Sequence, residues 1–357
     1  LSAGQKQDFI ASIRAEYDRV REYNLHANSP DKYISLKEAR ENRFNFDESI
    51  SIHQPEFLGV KSLLSFPLNE IVPFIDWTPF FHAWELKGVY PKIFKDANHG
   101  AEAKKLFDDA QKMLEKIVAE KWLTANAVFG IFPAIASGDD IELLDPSSKK
   151  PLAVLHTLRQ QTRKPEGQYN IALSDFILPK SSAQKGQTDY LGAFALTAGI
   201  GIDEHVERFE KNHDDYSAIL LKALADRLAE AFAEALHQIV RKDFWGYAKD
   251  ENFSSEELIK ELYCGIRPAP GYPAQPDHTE KQTIWSLLEV EKNIGLQLTE
   301  SMAMFPTASV SGLYFAHPDS HYFGLGRITK DQVIDYADRK GLAVEEAEKW
   351  LNSVLGY

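Results

Sequence analysis

Four kinds of side chain in this 357-residue sequence stand where they can do chemistry. Arg267 heads the stretch Arg267-Pro268-Ala269-Pro270-Gly271-Tyr272-Pro273-Ala274-Gln275-Pro276-Asp277-His278-Thr279-Glu280-Lys281. Its planar fork of donors suits a carboxylate or a phosphate. Asp76 sits among aromatics in Ile75-Asp76-Trp77-Thr78-Pro79-Phe80-Phe81-His82-Ala83-Trp84, where an acid is costly to bury without a partner. It reads as an N-cap with Pro79 in the first turn, as a carboxylate for a cationic ligand group, or as both. Asp226, Glu230 and Glu234 recur at i, i+4 and i+8, so three carboxylates share one helix face. Such a row is solvated, paired with Lys222 or Arg227, or turned into a cleft; Glu261 poses the same question. His317 and His321 flank a Pro-containing turn, which argues against helical metal ligation. No catalytic acid or base and no metal ligand is nominated.

The elements that must hold these groups follow from spacing. The four prolines of the Arg267 stretch fix φ and remove backbone donors, so it reads as a stiff extended loop. Gly271 is where the backbone can turn or let a ligand approach. The composition alone leaves two readings, a ligand platform and a Pro-rich surface connection. Asp277-x-x-Glu280 predicts a capping box opening a helix through Trp285, Leu288 and Val290. Helical periodicity predicts helices over 3–24, near 36–43, over 101–121, from Asp203, and over 214–243, with two more near 330–340 and 343–354. Short apolar runs predict strands at 127–132, 140–144, 152–158, 189–197 and 308–315, with 159–187 mostly loop. Residues 322–326 read as a strand pairing with 308–315 in a hairpin. Gly199-Ile200-Gly201 superficially resembles a dinucleotide turn, but Glu204 stands in place of the third glycine and no strand–helix alternation surrounds it. The fold class is α+β: one domain, a twisted and mostly antiparallel sheet surrounded by helices, with an N-terminal helical arm.

Composition narrows the function. The chain is 44% hydrophobic and 26% charged, with net charge −13 and no Lys/Arg run, so no nucleic-acid platform is expected. Cys264 is the only cysteine, which rules out an internal disulfide and a cysteine-rich zinc site and fits a reducing, cytoplasmic setting. No stretch reaches the ~20 apolar residues of a membrane span, and no signal peptide is visible.

The Arg267–Lys281 loop does not stand alone. Together with Ile75–Phe81, Ala225-Asp226-Arg227-Leu228-Ala229-Glu230-Ala231-Phe232-Ala233-Glu234 and Ala308-Ser309-Val310-Ser311-Gly312, it resembles one family over essentially the whole chain. That family is the C-terminal S-adenosylmethionine-binding activation domain of cobalamin-dependent methionine synthase (5-methyltetrahydrofolate–homocysteine methyltransferase), an enzyme of methionine biosynthesis.

The resemblance implies one domain over 1–357, with 1–24 as an arm leading from a cobalamin-binding domain. It implies that S-adenosylmethionine supplies a methyl group to cob(I)alamin after a flavodoxin-type donor has reduced cob(II)alamin. Cobalamin would be held mainly by the neighbouring domain of the same polypeptide, and zinc only in the homocysteine domain of the full enzyme. Asp76 and Arg267 would bind the methionyl end of the ligand, with Tyr322 and Phe323 contacting it. Chemistry agrees: Arg267 can grip an α-carboxylate and Asp76 an ammonium. Glu230 and Glu261 are further candidates for ribose, ammonium or sulfonium. Gly271 allows close approach, and Tyr272 or Tyr322 can face the cationic end. Asp226 would meet a histidine released from cobalt, and a second acidic contact of the family falls near Ile202, Asp203 and Glu204. Two other readings are a free-standing S-adenosylmethionine-dependent small-molecule methyltransferase and a non-enzymatic interaction domain.

Overall fold

The computed structural model describes residues 32–183 and 186–357, with the isolated positions 13 and 17. The helix expected over 3–24 therefore lies outside the described residues but for Ile13 and Tyr17.

A six-stranded antiparallel sheet carries the fold. Its strands are β1 (Gly59–Phe66), β2 (Thr124–Ser137), β3 (Asp140–Leu144), β4 (Pro151–His156), β5 (Asp189–Ile200) and β6 (Ser309–Tyr314). The order is β4-β3-β2-β5-β6, and the first half of β2 also pairs with β1. Strands β2 and β5 are buried nearly end to end and run in register from Asn126↔Thr197 to Ala134↔Asp189. Their continuous apolar runs need cover on both faces, and helices supply it. On one face Phe129, Phe194 and Leu196 pack with α1 (Gly100–Ala119) and α2 (Asp215–Ile239). On the other, Val128, Ala193 and Ala195 pack with α3 (Glu280–Leu288) and α4 (Val290–Ile294). The turn at Gly201 joins β5 to the helix Ile202–Lys211, but β5 has only antiparallel neighbours. That geometry is not a dinucleotide-binding crossover.

Helix α2 is the spine of the site. Leu220, Leu224, Leu228, Phe232 and Leu236 are buried on its sheet-facing stripe, leaving its acidic row along the flank. Predicted to end at 243, it ends at Ile239 and continues as one π-helical turn, Val240–Phe244.

Two expectations are corrected. Residues 322–326 do not form a hairpin with β6. One edge of β6 is taken by β5. The other is taken by the head of the proline loop: Ile266 and Phe315 exchange both backbone hydrogen bonds at 3.0 Å, and Leu313 N–H donates to the Pro268 carbonyl at 2.9 Å. A proline lacks the amide a central strand must donate, so this stretch suits an edge. Tyr322–Gly326 instead crosses above the loop, with Leu325 N–H donating to the Pro273 carbonyl. Nor is there a capping box at Asp277-x-x-Glu280. Helix α3 begins at Glu280 with Thr279 as N-cap and no side-chain cap bond. The two carboxylates converge on Lys340 of the helix Lys330–Lys340, at 2.7 and 2.5 Å. Tyr336 OH donates to Asp277 as well.

Lys340 thus ties the far end of the proline loop to a closing helix through two buried carboxylates. Replacing it with Met leaves both unpaired, and breaking a buried pair on one side costs roughly 3–5 kcal/mol. Urea unfolding of Lys340→Met should show a loss of that order at neutral pH, and a smaller loss in acid, where the carboxylates take up protons.

Candidate functional site

A cleft of about 600 Å³ opens between the flank of α2 and the proline loop. Its floor is sheet, Phe194 of β5 and Val310 of β6. One wall is Glu230, another is Arg267-Pro268-Ala269 with Tyr272-Pro273-Ala274, and Glu261 and Tyr322-Phe323-Gly324 complete it. The loop can lie this close to β6 because Gly312 has no side chain: a Cβ there would sit 2.8 Å from the Pro268 carbonyl oxygen. The cleft size and its mixture of aromatic wall with few charged groups are those of a small-molecule site. Concavities along Glu204–Asn212 and beside Asp109 and Lys116 are lined largely by charged side chains of helix surfaces.

Among the described residues, Arg267 is the one cation that lines the cleft. Its Nη2 pairs with Glu234 at 2.7 Å, and 20% of its side-chain surface stays accessible, enough for a ligand to reach it. Its Nη1 donates to Tyr263 OH at 2.8 Å and lies 3.4 Å from His237 Nδ1. Burial works against the charge, but Glu234 and the neighbouring tyrosines outweigh it and hold the guanidinium above even its usual range. Burial pushes the His237 pKa well down, and the Arg241 and Arg267 charges push it further. His237 is therefore neutral, accepting at Nδ1 and carrying its proton on Nε2. Its ring stacks on Tyr314 at 5.0 Å, and Tyr314 stacks on Phe194 at 4.6 Å. The guanidinium thus rests on a column of rings rising from the sheet.

The carboxylates divide. Asp226 is exposed and pairs with its neighbour Arg227. Glu230 enters the cleft, and burial raises its pKa; the nearby Asp226 adds to this while Arg227 opposes it. Glu261 reaches the cleft from a left-handed backbone position, φ 54°, and burial raises its pKa too. Asp76 caps the helix Trp77–Ala83, accepting the Thr78 amide at 2.9 Å. It does not line the cleft, but the turn before it packs along α2, and Ser255 Oγ donates to the Pro73 carbonyl. Gly271 also lies outside the lining, with φ 95°, while its neighbour Tyr272 lines it. Ile202 begins its helix half-buried, with Asp203 and Glu204 exposed beside it. His317 Nδ1 accepts the Asp319 amide within its turn. Among the described residues no group of three or more His, Cys, Asp or Glu can hold a metal, and no helix is long and apolar enough to cross a membrane.

Sequence reasoning left out the groups that hold Arg267. Glu234 was visible as the last member of the acidic row. Tyr263 and His237 gave no signal, because neither belongs to a motif and their contact is made only by the fold.

The structure is an α+β module whose cleft sets Arg267 between the carboxylates Glu230 and Glu261. The family model for the vitamin B12-dependent methionine synthase activation domain matches residues 67–341, and the chain belongs to that family. A solved structure described as the MetH reactivation domain bound to AdoHcy is 53% identical. The match covers 91% of this chain and 99% of that one, with a TM-score of 0.87. The chain is therefore a reactivation module of a cobalamin-dependent methyltransferase, as its resemblance implied.

Gly271 is fixed by geometry. A Cβ there would lie 2.2 Å from His278 Cε1, at a φ that L-residues rarely adopt. Gly271→Ala should lower unfolding free energy by about 1–3 kcal/mol, measurable as a drop in melting temperature.

Proposed function

We propose that the cleft binds S-adenosylmethionine and that Arg267 grips its α-carboxylate. The observation carrying this reading is the arginine itself: a largely buried guanidinium, aligned by three side chains, with part of its surface kept open to a cleft of ligand size. The related reactivation domain was solved with AdoHcy, which carries the same amino-acid tail.

The residues present fit such a ligand. The tail ends in one anion and one cation, and the sulfonium adds a second positive charge. Arg267 complements the anion. Glu230 and Glu261 leave the rim with an excess of negative charge that favours the cationic centre. Tyr272 and Tyr322 supply aromatic faces for the same charge, and Phe323 lines the cleft with them. Asp76 is assigned to the ammonium; it stands outside the cleft lining, and the turn before it packs against α2. Gly271 gives the loop its turn, bringing Tyr272 and Pro273 to the ligand.

When bound, S-adenosylmethionine supplies a methyl group on an activated sulfur. The chain's own part is to orient that group toward an opening and keep water away. No proton need move, so no residue is assigned as acid or base. The acceptor is the reduced cobalt of a cobalamin held by a neighbouring domain of the same polypeptide, with a flavodoxin-type protein as electron donor. Asp226, exposed on the same row of α2, is assigned to contact that domain. Zinc belongs to a homocysteine domain elsewhere in the full enzyme. Residues 1–357 act as one module in the cytoplasm, with 1–24 as the connection to the cobalamin domain.

Calorimetric titration with S-adenosylmethionine tests the assignment. A charge-assisted hydrogen bond contributes about 1.5–3 kcal/mol, so Arg267→Ala should weaken binding by roughly 10- to 100-fold. Equal affinity of parent and variant would reject it.

A further inference from the structure

We propose that Tyr263, which does not line the cleft, is a positioning residue that locks the Arg267 guanidinium in one ligand-facing orientation. The inference rests on the reading of the cleft as an S-adenosylmethionine site.

Two tyrosine hydroxyls hold Arg267 at separate points. Tyr263 OH accepts from Arg267 Nη1 at 2.8 Å. Tyr322 OH accepts the backbone N–H of Arg267 at 3.0 Å. Tyr263 therefore fixes the guanidinium, and Tyr322 the main chain that carries it. The Tyr263 ring is itself held. It is 6% exposed, stands edge-on to His237 at 5.0 Å and 85°, and has the Arg241 guanidinium 4.0 Å over its face. Its hydroxyl cannot drift without moving this packing.

The consequence is directional. Nη1 is committed to Tyr263 and His237, and Nη2 is engaged by Glu234. With both terminal nitrogens engaged, the guanidinium is presented in one orientation, and an incoming carboxylate meets its remaining N–H donors. Recognition of the carboxylate then depends on Tyr263, while contacts to the rest of the ligand do not.

The test is a titration of the parent, Tyr263→Phe and Arg267→Ala proteins with S-adenosylmethionine and with its decarboxylated analogue. Removing the hydroxyl keeps ring and net charge, and should weaken S-adenosylmethionine roughly tenfold while moving the decarboxylated analogue less than about twofold. A merely structural role would weaken both ligands alike, and that result, or no effect on either, overturns the proposal. If Arg267→Ala binds S-adenosylmethionine as the parent does, the reading of the cleft fails instead. Where Tyr263→Phe folds poorly, the parent protein still decides by ¹⁵N spectroscopy of Arg267. Separate Nη1 and Nη2 resonances mark a locked guanidinium, and one averaged resonance contradicts the lock.

Discussion

A guanidinium sunk in a wall of rings has to be neutralised, and the way Glu234 neutralises Arg267 shapes everything around the cleft. Taking an unpaired charge out of water costs several kcal/mol, so a buried arginine persists only with a partner and further hydrogen bonds. Glu234 comes from α2, Tyr263 from the turn after the helix Ser255–Ile259, and Arg267 from the edge ribbon beside β6. The pair thereby fastens three separate segments at one point. Because the arginine is paired rather than free, the rim as a whole stays acidic, through Glu230 and Glu261. A site of this kind can hold an anionic group at one spot and still favour a cation a few ångströms away.

The sheet makes that arrangement rigid. Phe194, Tyr314 and His237 form a column from β5 through β6 to α2, and the loop edge is hydrogen-bonded to β6. At its other end the same loop is held by Lys340 through Asp277 and Glu280. The proline loop is thus anchored at both ends, and its middle, Ala269 to Ala274, is free to serve as wall. Rigid presentation of a few polar groups lowers the ordering cost of binding.

Much of this was legible in the chain itself. The apolar runs of β2 and β5, the stripe of α2 and the amphipathic α1 follow from spacing, and observed bounds differ by a few residues. Arg267 and Glu230 were visible because charged groups beside prolines or in an i, i+4 row are unusual in residue type and position. What failed was pairing. Tyr322–Gly326 alternates like a strand, yet both edges of β6 were already occupied, a fact of topology rather than of local pattern. Asp277 and Glu280 have capping-box spacing, but a lysine sixty residues on competes for them and wins by charge. Tyr263 was illegible for the same reason: its role consists of contacts with residues of other segments, and a lone tyrosine near a helix end carries no periodic signature.

The most direct measurement is a crystal structure of this chain with S-adenosylmethionine bound. The account predicts the ligand in the cleft between α2 and the proline loop, its α-carboxylate on Arg267 and the Arg267–Glu234 pair intact. A ligand bound with its carboxylate away from Arg267, or seated in another concavity, would contradict it.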